Sequence, residues 1–204
     1  MVLRIAQGAI AGVAAGIITG IAARVAMRLV AIGAADGIGQ LPQFTIEGTV
    51  AIISSGAIAG LPFGGVYALI ERRLPRPGRA HGIWFAALML VFFGPLFLTN
   101  EEIFSQGRFV LFTLLFPIYG LAIGVALPVA EGLVPRMPNA VTRVLVTLAA
   151  GAGALVVLGF AGIAGQAIER HGAATAAFAI PWITLALLAA PALRARLAHL
   201  QAAR

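Results

Sequence analysis

Runs of apolar residues, each close to the about 20 helical residues needed to cross a hydrocarbon core of ~30 Å, follow one another along the chain with only short polar connections between them. They cover approximately Ile5 to Leu29, Thr45 to Ile70, Gly82 to Leu98, Phe109 to Ala130, Ala140 to Gly165 and Ala173 to Leu193. The pattern predicts an all-α, polytopic integral membrane bundle of six transmembrane helices. It forms a single transmembrane domain over residues 1–204 and ends in a basic tail, 194–204. That tail, RARLAHLQAAR, reads as an interfacial helix whose arginines snorkel to the surface. The first run follows Arg4 and ends in small residues, as a signal peptide does, but it exceeds the usual apolar stretch of about 7 to 15 residues and is expected to be a membrane helix.

Within the first run glycine recurs every fourth residue, at Gly8, Gly12, Gly16 and Gly20, and the second run repeats the device at Gly56, Gly60 and Gly64. In lipid the hydrophobic effect gives helices little reason to associate, so close backbone approach across small residues supplies much of the attraction. The two runs share the pentapeptide GAIAG and are joined by a short connection, so an antiparallel hairpin with its glycine ridges able to face each other is expected. Gly120 and Gly124 extend the scheme to the fourth helix, and Gly151, Gly159, Gly162 and Gly165 to the fifth. A step of four residues advances about 40° around a helix, so the ladder winds, and a partner is expected to follow part of it but hardly all.

Composition agrees with this solvent. The chain is 61% hydrophobic and 10% charged, against roughly 45–50% and 25% in soluble domains. All fourteen basic residues are arginine and the formal charge is +7, which in a soluble protein would suggest nucleic acid. Here most arginines sit at helix ends, where they orient the chain and meet lipid headgroups, so lipid and not nucleic acid is the expected partner. With alternating helices, ten arginines fall on one side, among them Arg4, Arg72, Arg73, Arg76, Arg79 and Arg136, and four on the other. By the positive-inside rule the ten, and both termini, are cytoplasmic, which implies a multi-pass protein of the cell's inner (plasma) membrane. Arg72, Arg73, Arg76 and Arg79 are then candidates for contact with anionic headgroups of the inner leaflet.

Two polar features stand apart. Arg24 and Arg28, one turn apart at the outer end of helix 1, with Glu47 just inside helix 2, read either as a clamp or interfacial anchor or as a site for an anionic headgroup or small anion. Tyr119 and Trp182, each preceded by a proline (Pro117, Pro181), are expected at similar mid-bilayer depth, as buried aromatics of kinked helices or as parts of a midplane site between broken helices.

Other chemistry finds no support. There is no cysteine; His81, His171 and His199 all lie at helix ends, and no paired carboxylates or Ser/His arrangement lies at membrane depth. No metal site, cofactor or enzymatic activity is expected. His-Gly opens both helix 3 and helix 6, a faint hint of an inverted repeat.

The segment ARVAMRLVAIG, followed by QFTIEGT, resembles a pattern of uncharacterised multi-spanning membrane proteins of bacteria with GC-rich genomes. The matching positions are Arg24, Met27, Arg28, Leu29, Phe44, Thr45, Gly48 and Thr49. The resemblance implies no reaction; it marks the outer junction of helices 1 and 2 as the distinctive part. Thr45 is expected to cap helix 2, and Gly48 to permit close approach of helix 1. Two functions then compete: a structural or accessory bundle that packs through glycine ridges as a homo-oligomer or against a larger membrane complex, and a small-solute or ion transporter with a midplane path.

Overall fold

The computed structural model describes residues 1–34, 45–74, 80–98 and 106–171. Five α-helices occupy nearly all of them: α1 (Val2–Ala34), α2 (Ile46–Ile70), α3 (Ala80–Leu98), α4 (Gln106–Leu133) and α5 (Asn139–His171), with 3-10 turns at Glu71–Arg73 and Val134–Arg136. The described residues contain no strand. Four helical stretches, Val2–Leu29, Ile46–Arg73, Thr113–Arg136 and Asn139–Gly159, are long and apolar enough to cross a membrane. The sixth expected helix, 173–193, and the basic tail lie outside the described residues.

The chain divides into two compact units, Met1–Gly159 and Phe160–Arg204. In the first unit the helices outrun the apolar runs in the sequence: α1 begins before Arg4 and continues to Ala34, and α4 extends three residues beyond its run at each end. Hydropathy marks the part of a helix suited to hydrocarbon, whereas the backbone hydrogen-bond ladder continues for as long as side chains tolerate it. Prolines do not end these helices either, since α2 runs through Pro62 and α4 through Pro117 and Pro128.

Helix α1 is central, packed along both α2 and α4, while α3 packs on α4. Its contact with α2 is made backbone to backbone. A methyl group built on Gly8 would overlap the Gly64 carbonyl, one on Gly12 the Gly60 carbonyl and one on Gly16 the Gly56 carbonyl, and the reverse substitutions on α2 meet the same obstruction. Gly20 continues the series: its added methyl would lie 2.9 Å from Ile53 Cα. The backbone of α2 therefore stays against all four glycines, further than the expected partial match. A repeat of four exceeds the helical 3.6, so two helices that both carry it can keep it facing inward by wrapping around each other in the right-handed sense.

A second pair of the same kind joins α3 to α4, where Gly82 and Gly120 face each other so closely that a methyl on either would overlap the other's carbonyl. Gly124 is the next residue on that seam, its nitrogen 3.4 Å from a methyl built on Gly82. Around these seams Ala11, Ala15, Tyr67, Ala68, Phe85, Ile123, Leu127 and Ala130 form the buried core, with Phe85 and Ile123 at 0% exposure. Small residues thus bring the backbones together, and a few large ones fill the space where α1, α2, α3 and α4 meet.

Replacing Gly12 or Gly60 by leucine should cost about 1–3 kcal/mol or abolish folding, because a backbone carbonyl stands where the side chain must go. Gly132→Ala, where the added methyl meets nothing within 4 Å, should change stability by no more than about 0.5 kcal/mol. Thermal unfolding in detergent, followed by circular dichroism, compares them directly.

Candidate functional site

Each end of the α1/α2 seam is polar, and in both cases an arginine of α1 continues the every-fourth-residue series. At one end is Arg4. Its Nη1 donates to Glu71 Oε1, at the C-terminal end of α2, and to Glu131 Oε1 near the end of α4, 3.2 Å away. The side chains of Arg4, Glu71 and Glu131 are 30%, 13% and 41% exposed, so three helices are tied together at a partly desolvated point. Among the described residues these are the ion pairs in which both partners are seen. That Arg4, Glu71 and Glu131 converge on one nitrogen was not visible in the sequence.

Beside this junction a cavity of about 530 Å³ is lined by Tyr67, Glu71 and Arg72 from the end of α2 and the turn after it, His81 from α3 and Glu131 from α4. The remaining wall comes from α4 and is apolar, including Val125 and Leu127. Pockets of 300–1,000 Å³ with mostly apolar walls and a few convergent polar groups are the usual form of small-ligand sites. His81 reaches it because its neighbour Gly82 lets α3 lie against α4 at Gly120. Arg72 and Arg73 are exposed in the 3-10 turn that closes α2, while Arg76 and Arg79 lie outside the described residues.

The other end belongs to Arg24. One further step along the seam from Gly20 brings this side chain opposite Gly48, where a methyl group would lie 3.6 Å from Arg24 Nη2. Nε donates to Thr49 Oγ1 at 3.1 Å and Nη2 to the Thr45 carbonyl at 3.5 Å. Thr45 is the N-cap of α2: its hydroxyl accepts from the Gly48 N–H at 3.2 Å. Thr49 in turn donates its hydroxyl to the Thr45 carbonyl at 2.9 Å. Arg24 therefore braces the first turn of α2 through neutral groups. Thr45, Gly48 and Thr49, the described part of the FTxxGT segment, are the residues it meets, and Gly48 makes room for a guanidinium and not for the α1 backbone. Glu47 sits in that same turn but in neither of the two ion pairs above. Arg28 lies one turn beyond Arg24 and is half-buried.

At mid-height Tyr119 directs its hydroxyl at the Gly60 carbonyl, 3.5 Å away, and its ring lies 6.4 Å from that of Phe85, which in turn stacks obliquely on Tyr67 at 5.1 Å. Trp182, its expected counterpart, lies outside the described residues. No known family, curated protein or solved structure matches the chain.

Removing the shared cation is the sharpest test of the Arg4 junction. Arg4→Gln should destabilise by about 1–3 kcal/mol, since it leaves two carboxylates facing each other across a partly dry contact. Adding Glu71→Gln should restore part of that loss in a double-mutant cycle read by thermal unfolding. A cycle that shows simple additivity would mean that the two side chains are not coupled.

Proposed function

We propose that the protein is a structural or accessory component of the cell's inner membrane, a multi-pass bundle that packs against itself or against a larger membrane complex and carries out no reaction of its own. The observation that carries this reading is the filled middle of the described unit. Phe85 and Ile123 are fully buried there, the glycine seams leave no gap between α1 and α2, and Tyr119 is engaged with Gly60 and Phe85. Large apolar side chains face outward instead, among them Leu155 at 71% and Leu158 at 68% exposure on α5 and Ile58 at 60% on α2. Lipid or a partner's helices would cover them.

Two distances support the membrane placement. From Arg4 to Arg24 along α1 is ~30 Å, and from Thr49 to Glu71 along α2 is ~33 Å, the thickness of a hydrocarbon core. The polar junctions then lie at the two interfaces, and the arginine distribution in the sequence makes the Arg4 end cytoplasmic. A second reading, a small-solute or ion path through the midplane, draws on Tyr119 and Trp182. An unbroken α4 at Pro117 weighs against the interrupted helix on which such sites are built.

In mild detergent the protein should be recovered as an oligomer or with a partner complex. A monodisperse monomer that carries flux in proteoliposomes, lost in Trp182→Ala, would replace this reading with the second. Because the chain has no cysteine, single-cysteine labelling has no background. Asn139→Cys should be protected from a membrane-impermeant maleimide in intact cells and Gln40→Cys labelled; the reverse pattern would invert the orientation.

A further inference from the structure

The cavity beside Arg4 combines groups of both signs with an apolar wall, and that combination selects a chemistry. Arg4 uses one nitrogen for two carboxylates, so one guanidinium stands against two negative charges and each carboxylate keeps a second oxygen. Glu71 and Glu131 both line the cavity, whereas Arg4 is not part of its wall. The excess negative charge therefore borders the cavity, and Arg72 and His81 also line it, as donors. A free anion would meet the two carboxylates, and a simple cation would meet Arg72. A zwitterion satisfies both halves.

We propose that this cavity binds the headgroup of a phospholipid bearing a primary ammonium, phosphatidylethanolamine in chemical class. The ammonium donates to Glu71 and Glu131, the phosphate accepts from Arg72 and His81, and the glycerol and first acyl carbons lie on the Val125 and Leu127 wall. Three N–H donors on a primary ammonium match carboxylates that have oxygens to spare, and a trimethylammonium head offers none. The volume of about 530 Å³ leaves room for the lipid beyond its headgroup. The cavity also lies at the end of the unit, level with the charged junction that marks an interface, where headgroups reside. The inference rests on the chain being embedded in a bilayer and does not depend on its having a protein partner.

The test uses the full chain, delipidated and reconstituted into vesicles of phosphatidylcholine alone, with added phosphatidylethanolamine or with added phosphatidylglycerol. Co-flotation with the vesicles first establishes insertion, so failure of the membrane reading is seen before any lipid is compared. Native mass spectrometry then counts retained lipid. Phosphatidylethanolamine should be retained over phosphatidylcholine by about tenfold, the value of one charge-assisted hydrogen bond. Glu131→Gln should remove most of that preference, and Gly132→Ala should leave it intact. Equal retention of the two lipids, or preference for phosphatidylglycerol, overturns the proposal. Competition by soluble glycerophosphoethanolamine at the lipid's own concentration would overturn the lipid as occupant. The comparison of lipids on the unmodified chain stands even if a variant fails to fold.

Discussion

Contact between the backbones of α1 and α2 is the constraint on which the rest of the unit depends. A bilayer offers hydrocarbon as good as any side chain, so a helix gains by leaving lipid only where it finds closer packing than lipid provides. Glycine supplies that by removing the side chain altogether. At Gly8, Gly12 and Gly16 the facing peptide groups occupy the space where a Cβ would stand. Because α1 sits this close to α2, its alanine positions Ala11 and Ala15 can join the core with Phe85 and Ile123, and one thin helix becomes the centre of the unit.

The charged groups of the α1/α2 seam stand at its two ends. Arg4 and Arg24 belong to the same series as the glycines, so along a single line of α1 the residue type switches from arginine to glycine and back to arginine. Glycine occupies the stretch where the two backbones touch, and arginine the two ends of that contact, which the proposed membrane placement puts at headgroup level. The two arginines nonetheless find different partners. Arg4 meets carboxylates at helix C-terminal ends, whereas Arg24 meets a hydroxyl and a carbonyl at the first turn of α2.

Much of the architecture was legible because a bilayer imposes length and apolarity on every spanning segment. The all-helical class and four helices of spanning length follow from the apolar runs, while the helix ends do not, since α1 starts ahead of the charged Arg4 and runs on to Ala34. The glycine spacing is visible in the sequence, but which glycine opposes which is decided by the hairpin's register. Gly82 was harder still: it has no companion at four residues on α3, and only its place opposite Gly120 gives it meaning. The sequence grouped Arg24 and Arg28 with Glu47 as a clamp, an anchor or an anion site, and gave no sign that Thr45 and Thr49 would meet the Arg24 guanidinium. They do so because the first turn of α2 puts the Thr45 carbonyl and the Thr49 hydroxyl on the side of Arg24. The cavity could not be read at all, since Tyr67, His81 and Glu131 lie on three helices with no shared motif.

A ladder of identical rungs has a weakness. If α1 slid along α2 by a single turn, Gly8 would face Gly60 and Gly12 would face Gly56, and most of the close contact would survive. The seam sets how near the two helices lie but is almost indifferent to where along their length they stop. Such a slip would move Arg4 away from Glu71 and Arg24 away from Thr49 by ~5 Å, beyond the reach of either hydrogen bond. The charged and hydroxyl groups at the two ends thus act as a vernier: contributing little area, they select one alignment from several that the glycines alone would accept.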